Sequence, residues 1–133
     1  MKLRGRLGME VFAHDDPGAV AGMIAAVRAG RVVCLMADRD MTGAGLRVDF
    51  GGHPARLPAG PALVARRSGA ALIPMVPHYT STGMALMFGQ SLHPGPGRAG
   101  LQEATQQVAD FFVSQIRRHP SDWQVMQPFF END

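Results

Sequence analysis

The segment Ala37-Asp38-Arg39-Asp40 places two carboxylates and a guanidinium directly after the apolar run from Val32 to Ala37. If that run is a strand, the acidic pair lies at its carboxyl end, where ligands bind in open α/β sheets. Continued strand geometry points Asp38 and Asp40 to one side and Arg39 to the other, so both carboxylates could act on one group. The same residues would equally suit a local salt bridge that caps the loop. Five histidines, His14, His53, His78, His93 and His119, are candidate general bases, because a histidine oriented by a carboxylate is the usual acid–base arrangement. His14, beside Asp15 and Asp16, and His78, just after an apolar run, are the best placed. Neither has a spacing that implies a site, and surface roles are the simpler reading.

Arg4, Arg6, Arg56, Arg66 and Arg67 are candidate ligands for an anionic head group or a coenzyme phosphate. Arg56 has the better position, since a helix starting after Pro58 supplies free N–H groups near it. Arg66 and Arg67 fall in the last turn of that helix, where cations stabilise the C-terminus. Lys2, Arg4 and Arg6 interleave with Leu3, Leu7 and Met9, which suits an anionic membrane surface as well as a solvated terminus. There is no HExxH, no CxxC and no Cys–His pair, so no metal is expected. No glycine-rich phosphate loop follows the first apolar run, which argues against a nucleotide or dinucleotide fold.

The elements that position these residues follow from local pattern. Met9 to Ala13 reads as a short strand, and Asp16 with Pro17 as a helix start. Val20, Ile24 and Val27 recur at helical spacing and Gly30 suits a left-handed cap, giving a helix from about Pro17 to Ala29. Arg31 to Ala37 then reads as a strand buried on both faces, making a β-α-β start. Leu46 to Phe50 alternates like a half-exposed strand, and Gly51, Gly52 and Pro54 make a turn. Ala62 to Arg67 is a short helix stopped by Ser68-Gly69, and Ala71 to Val76 and Met84 to Phe88 are further strands. Leu101, Ala104, Val108, Phe112 and Ile116 define a last amphipathic helix that ends at Arg117-Arg118-His119-Pro120. Trp123 and the adjacent Phe129 and Phe130 make the tail too aromatic to stay in solvent, so it should dock back. The expected fold class is α/β, with a mostly parallel sheet flanked by helices.

The whole chain has 133 residues, 46% hydrophobic and 18% charged, which fits one globular domain and excludes disorder. The single Cys34 forms no disulfide framework within one chain and fits a reducing compartment. A net charge of +2 gives no polybasic surface, so no nucleic-acid partner is expected. No apolar stretch approaches the roughly 18 residues of a membrane span, and the basic start lacks the apolar region of a secretory signal.

Several segments taken together resemble a known family. They are Arg4 to Val11, Val33 to Thr42, Val48-Asp49-Phe50, Pro54 to Ala62, Gly69 to Pro74, and His119-Pro120 with Asp122-Trp123 and Gln127-Pro128. In this order the chain resembles the lysophospholipid acyltransferase superfamily that includes the lipid A lauroyl and myristoyl acyltransferases, and within it the phosphatidylinositol mannoside acyltransferases. The resemblance implies transfer of a fatty acyl group from acyl-CoA, or from acyl carrier protein in some relatives, to a hydroxyl of a membrane glycolipid. It implies no cofactor beyond acyl-CoA as co-substrate, and peripheral attachment at the cytoplasmic face of the cell membrane. Family enzymes use a His-x4-Asp motif whose histidine deprotonates the acceptor hydroxyl. By resemblance, Asp38 takes the place of the acidic partner of that histidine and Arg4 that of a phosphate ligand; Arg39 and Arg56, from their own positions, are the supporting substrate-binding candidates.

The motif itself is not in the chain. Five positions after the histidines stand Ala19, Pro58, Gly83, Arg98 and Gln124. In the family the motif precedes the segment that aligns with Arg4, so residues 1–133 are expected to form a single partial domain, the C-terminal half of a glycerolipid acyltransferase-like fold. Its missing partner is the N-terminal half, and alone it should be inactive. The family usually has glutamate where Asp38 stands, and Phe-Phe-Gly-Glu where this chain has Phe50-Gly51-Gly52-His53. Two rivals remain: a non-catalytic module that binds lipid or coenzyme, and a metal-dependent glycosyltransferase fragment in which Asp38-Arg39-Asp40 holds a divalent cation on a diphosphate.

Overall fold

Apolar and charged residues alternate in Leu46-Arg47-Val48-Asp49, the pattern of a strand with one face in a core. In the computed structural model, which describes residues 2–13, 15–41, 43–126 and 128–131, they form β1 (Leu46–Asp49), with Leu46 and Val48 buried. Phe50 to His53 reverse the chain, with Gly51 and Gly52 at φ 72° and 98°, where a side chain would be strained. β2 (Pro54–Leu57) returns antiparallel, setting Val48 opposite Ala55 and Arg47 opposite Arg56. The expected turn at Pro54 is therefore also the start of a strand. Proline is tolerated there because the first residue of a strand can lack an N–H.

Ahead of this hairpin, Asp16 Oδ1 accepts the Gly18 N–H at 2.8 Å, and α2 (Ala19–Arg28) follows, closed by Gly30 at φ 79°. A shorter helix, α1 (Lys2–Arg6), precedes it where sequence pattern pointed to none. After the hairpin, α3 (Gly60–Ser68) carries proline in its first turn and stops on Gly69 at φ 80°. The Arg28 guanidinium donates to the Arg67 carbonyl at 2.6 Å and ties α2 to α3. Arg66, read from sequence as serving its own helix end, donates to the Gly97 carbonyl at the start of the last helix.

That helix, α4 (Gly97–Ile116), lies across the β1–β2 hairpin. Val108, Ala109 and Phe112 meet Val48, Phe50, Ala55 and Leu57 in one buried cluster. Two of its glutamines, one turn apart, satisfy the open edge of β1. Gln102 Nε2 donates to the Arg47 carbonyl at 2.6 Å, while Gln106 accepts from the Asp49 N–H at 2.9 Å and donates to the Asp49 carbonyl at 2.8 Å. Side-chain amides thus do what a neighbouring strand would otherwise do for an exposed edge.

β3 (Met75–Thr80) and β4 (Gly83–Phe88) form a second antiparallel hairpin. The strand expected at Ala71 to Val76 starts later, because Pro74 has no N–H to give a ladder; before it, Leu72 only bridges Leu92. The expectation of a mostly parallel sheet is not met. The chain is mixed α/β, with two separate two-stranded antiparallel sheets. Met9 to Ala13 and Val32 to Ala37 join no ladder among the described residues. Their composition suits strands, but a strand forms only where a neighbour takes up its backbone hydrogen bonds. Val32 is 90% exposed and Met36 74%, the reverse of a strand covered on both faces.

The tail docks as its aromatic content requires. A single 3-10 turn (Pro120–Asp122) follows α4, after which Trp123 stacks on Phe50 with centroids 5.5 Å apart and Phe129 meets Phe50 edge-on at 4.8 Å. Phe130 bridges Ala55 on the far edge of β2, and the Glu131 N–H donates to the Pro54 carbonyl at 2.9 Å. The Glu131 carboxylate lies 2.9 Å from Arg47 Nε and 2.6 Å from Arg56 Nε.

Candidate functional site

Asp38 is half-buried, and its Oδ2 accepts a hydrogen bond from Trp123 Nε1 at 3.2 Å. The indole is itself fixed, stacked on Phe50 and met edge-on by Phe129 at 5.0 Å. Since Phe50 belongs to the main core, the carboxylate is referenced through one ring to the β1–β2 hairpin and α4. Two of the segments that carry the family resemblance, 85 residues apart, meet in this one contact.

Asp40 has a different task. Its Oδ2 accepts the Gly45 N–H at 2.7 Å, and the Gly45 carbonyl accepts from Arg56 Nη1 at 2.9 Å. A Cβ at position 45 would come within 2.6 Å of Asp40 Oδ2 and 2.7 Å of the Leu57 carbonyl oxygen, so only glycine lets the loop close this tightly. The two carboxylates therefore bind different partners rather than one shared group, because strand geometry does not continue through Asp38 to Asp40. Among the described residues no group of three or more His, Cys, Asp or Glu gathers as a metal site.

Asp38 opens into a cleft of about 370 Å³, within the roughly 300–1,000 Å³ of small-molecule sites. Its walls are mostly apolar: Leu35, Met36, Met75, Val76, Phe112 and Ile116 among others. Polar groups are few, and include Asp38, His78, Gln115, His119 and Asp122. Apolar walls with a few polar groups, Asp38 and Asp122 among them, suit a largely apolar ligand that carries a polar group.

The other residues singled out by sequence lie apart from this cleft. Arg39, next to Asp38, is exposed, and Arg4 is exposed on α1. Arg56 sits on β2, engaged by Glu131 and the Gly45 carbonyl, and does not line the cleft. His14, a candidate base by its acidic neighbours, lies outside the described residues, as do Thr42 and Gln127 of the matching segments. His53 packs on Phe130 and His93 approaches Ser91. Sequence reasoning missed the pairing of His78 with His119, whose rings stack 4.1 Å apart at 5°, and the Trp123 contact to Asp38. The sole Trp following Asp122 in an otherwise exposed-looking tail was the signal available for the latter.

The chain, with these elements and this cleft, can be set beside known proteins. The profile of the bacterial lipid A biosynthesis acyltransferase family matches residues 1–132, and the chain belongs to that family. Among curated proteins it is similar to the phosphatidylinositol mannoside acyltransferase of Mycobacterium tuberculosis, 42% identical over 102 residues, covering 77% of this chain and 32% of the relative. The protein of the same name from Mycolicibacterium smegmatis is 40% identical over 98 residues, covering 74% and 32%. The chain thus spans about a third of the length of the curated relatives it matches.

Proposed function

We propose that the chain is part of an acyltransferase that moves a fatty acyl group from acyl-CoA to a hydroxyl of a membrane glycolipid of the phosphatidylinositol mannoside type. In this reading residues 1–133 form the C-terminal half of the catalytic domain, and the histidine of the His-x4-Asp motif is supplied from outside them. That histidine takes the proton of the acceptor hydroxyl, whose oxygen attacks the thioester carbonyl. The tetrahedral intermediate collapses with a new ester bond, the C–S bond breaks, and coenzyme A leaves as the thiol after taking the proton back. Asp38 orients the histidine and stabilises its charged form, while Arg4, with Arg39 and Arg56 in support, faces phosphates of donor or acceptor. No resident cofactor is needed.

The observation that carries this reading is the Asp38 carboxylate, held by Trp123 and lining an apolar cleft, in a chain of this family. The unpaired apolar run before Asp38 supports a partner surface supplied by the other half. Among the described residues no helix is long and apolar enough to cross a membrane; α1, with Arg4 and Arg6 beside exposed Leu3 and Leu7, supports peripheral attachment at the cytoplasmic face. The test is acyl transfer from radiolabelled palmitoyl-CoA by the full-length protein. Asp38→Asn is expected to lower kcat by roughly 10²-fold or more with little change in melting temperature, while residues 1–133 alone transfer nothing. Turnover by those residues alone, abolished by Asp38→Ala, would overturn the division into halves; unchanged kcat in Asp38→Asn would remove Asp38 from the site.

A further inference from the structure

Pairing across the β1–β2 ladder puts Arg47 directly opposite Arg56, both on the exposed face of the hairpin. Like charges so placed repel, and the side chains stay open to water, at 64% and 42% exposed. A single carboxylate from the tail holds them together. Glu131 Oε2 lies 2.9 Å from Arg47 Nε and Glu131 Oε1 2.6 Å from Arg56 Nε, one oxygen to each guanidinium. Among the described residues neither arginine has another ion-pair partner.

The arginines are positioned without help from the tail. The ladder fixes their backbones, and Gln102 Nε2 donates to the Arg47 carbonyl. Arg56 Nη1 donates to the Gly45 carbonyl at 2.9 Å, and the Gly45 N–H is held in turn by Asp40. When Glu131 withdraws, two guanidiniums stay side by side with no counter-charge, the arrangement that binds an oxyanion. Exposed ion pairs are weak, so a competing anion can displace the carboxylate. A free carboxylate has no advantage over the tethered one, whose effective concentration is high. A phosphate does: it offers an oxygen to each guanidinium and a further one besides, and as a monoester it carries more negative charge.

We propose that Arg47 and Arg56 form a phosphate-binding site, apart from the Asp38 cleft, whose ligand displaces the Glu131 carboxylate. The tail is then a tethered competitor that keeps the site closed until a phosphate arrives. Arg56 stood out in the sequence, and Arg47 is the partner that its strand pairing supplies. The inference rests on the acyl-transfer reading for the source of the phosphate, which is either coenzyme A or the phosphodiester head group of the lipid acceptor.

The experiment is calorimetric titration of the full-length protein at low ionic strength, where exposed charges are least screened, with inorganic phosphate, coenzyme A and glycerophosphoinositol in turn. Glu131→Gln removes the competitor, and the double variant Glu131→Gln with Arg47→Gln removes half of the site as well. Glu131→Gln is expected to bind inorganic phosphate roughly tenfold more tightly than the unmodified protein, as when a site closed about nine-tenths of the time is opened. Adding Arg47→Gln should cancel that gain. An Arg47-dependent gain for coenzyme A assigns the donor, and one for glycerophosphoinositol assigns the acceptor. If Glu131→Gln does not fold, Glu131→Asp, too short to reach both guanidiniums, carries the same comparison. A loss of stability in Glu131→Gln with no gain in phosphate affinity reduces the ion pairs to a structural cross-link and overturns the site; a gain that survives Arg47→Gln places the anion elsewhere and overturns it too. A full-length protein that transfers no acyl group yet shows the Arg47-dependent gain loses the acyl-transfer reading and keeps the site.

Discussion

The indole N–H of Trp123 donates and never accepts, so its contact with Asp38 fixes one of the two carboxylate oxygens as the acceptor. The other oxygen remains the one that can face a base. Trp123→Phe keeps the ring that stacks on Phe50 and deletes only the donor. It is expected to cost about 1 to 2 kcal/mol of stability, as for a hydrogen bond to a charged group, and to lower kcat of the full-length protein by roughly tenfold. In an Asp38→Asn background the same change should lower kcat little further, since the two residues act through one bond; urea melts and single-turnover rates check both statements. At this scale the sequence was half informative. Asp38 was legible from its place after an apolar run and from family resemblance. Its partner was not, because nothing local relates residue 38 to residue 123, and the stacked His78 and His119 were hidden for the same reason.

The β1–β2 hairpin carries an apparent mistake in its pairing, Arg47 directly opposite Arg56, a like-charge pair that destabilises a ladder. Glu131 resolves it by reaching both guanidiniums from the tail. The arginines are largely solvated and exposed ion pairs are weak, so Glu131→Gln is expected to cost only about 1 kcal/mol. The loss should shrink in concentrated salt, where the repulsion it relieves is itself screened; urea unfolding at low and high ionic strength measures the difference. At this scale helices read well: α2, α3 and α4 lie where their spacing and glycine stops place them, because those signals are local. Strands read less well. Leu46 to Asp49 carried its own alternation, whereas Val32 to Ala37 had strand composition without a partner, and β2 was masked by the proline at its head.

On the scale of the whole chain, large apolar side chains are exposed on several separate elements. Leu3 of α1 and Leu7 just after it, Val32 and Met36, and Tyr79, Leu86 and Phe88 of the second hairpin are all open to solvent. With Arg4 and Arg6 beside the first of these, the full-length protein is expected to sediment with vesicles containing anionic phospholipid. The bound fraction should fall with rising salt and on joint Arg4→Glu and Arg6→Glu substitution; equal sedimentation with neutral vesicles would remove the electrostatic part. Fold class was legible from composition and element order, while sheet type was not, since parallel and antiparallel pairings share one local pattern. The 85-residue separation of Asp38 and Trp123 also sets an order in time. At roughly 5–20 residues per second of synthesis, the carboxylate leaves the ribosome about 4 to 17 s before the ring that orients it, so the contact forms only after Trp123 has emerged. A nascent chain that has not yet exposed Trp123, or one clipped before it, would therefore carry the acidic residue, the hairpin and α4, yet lack an oriented site.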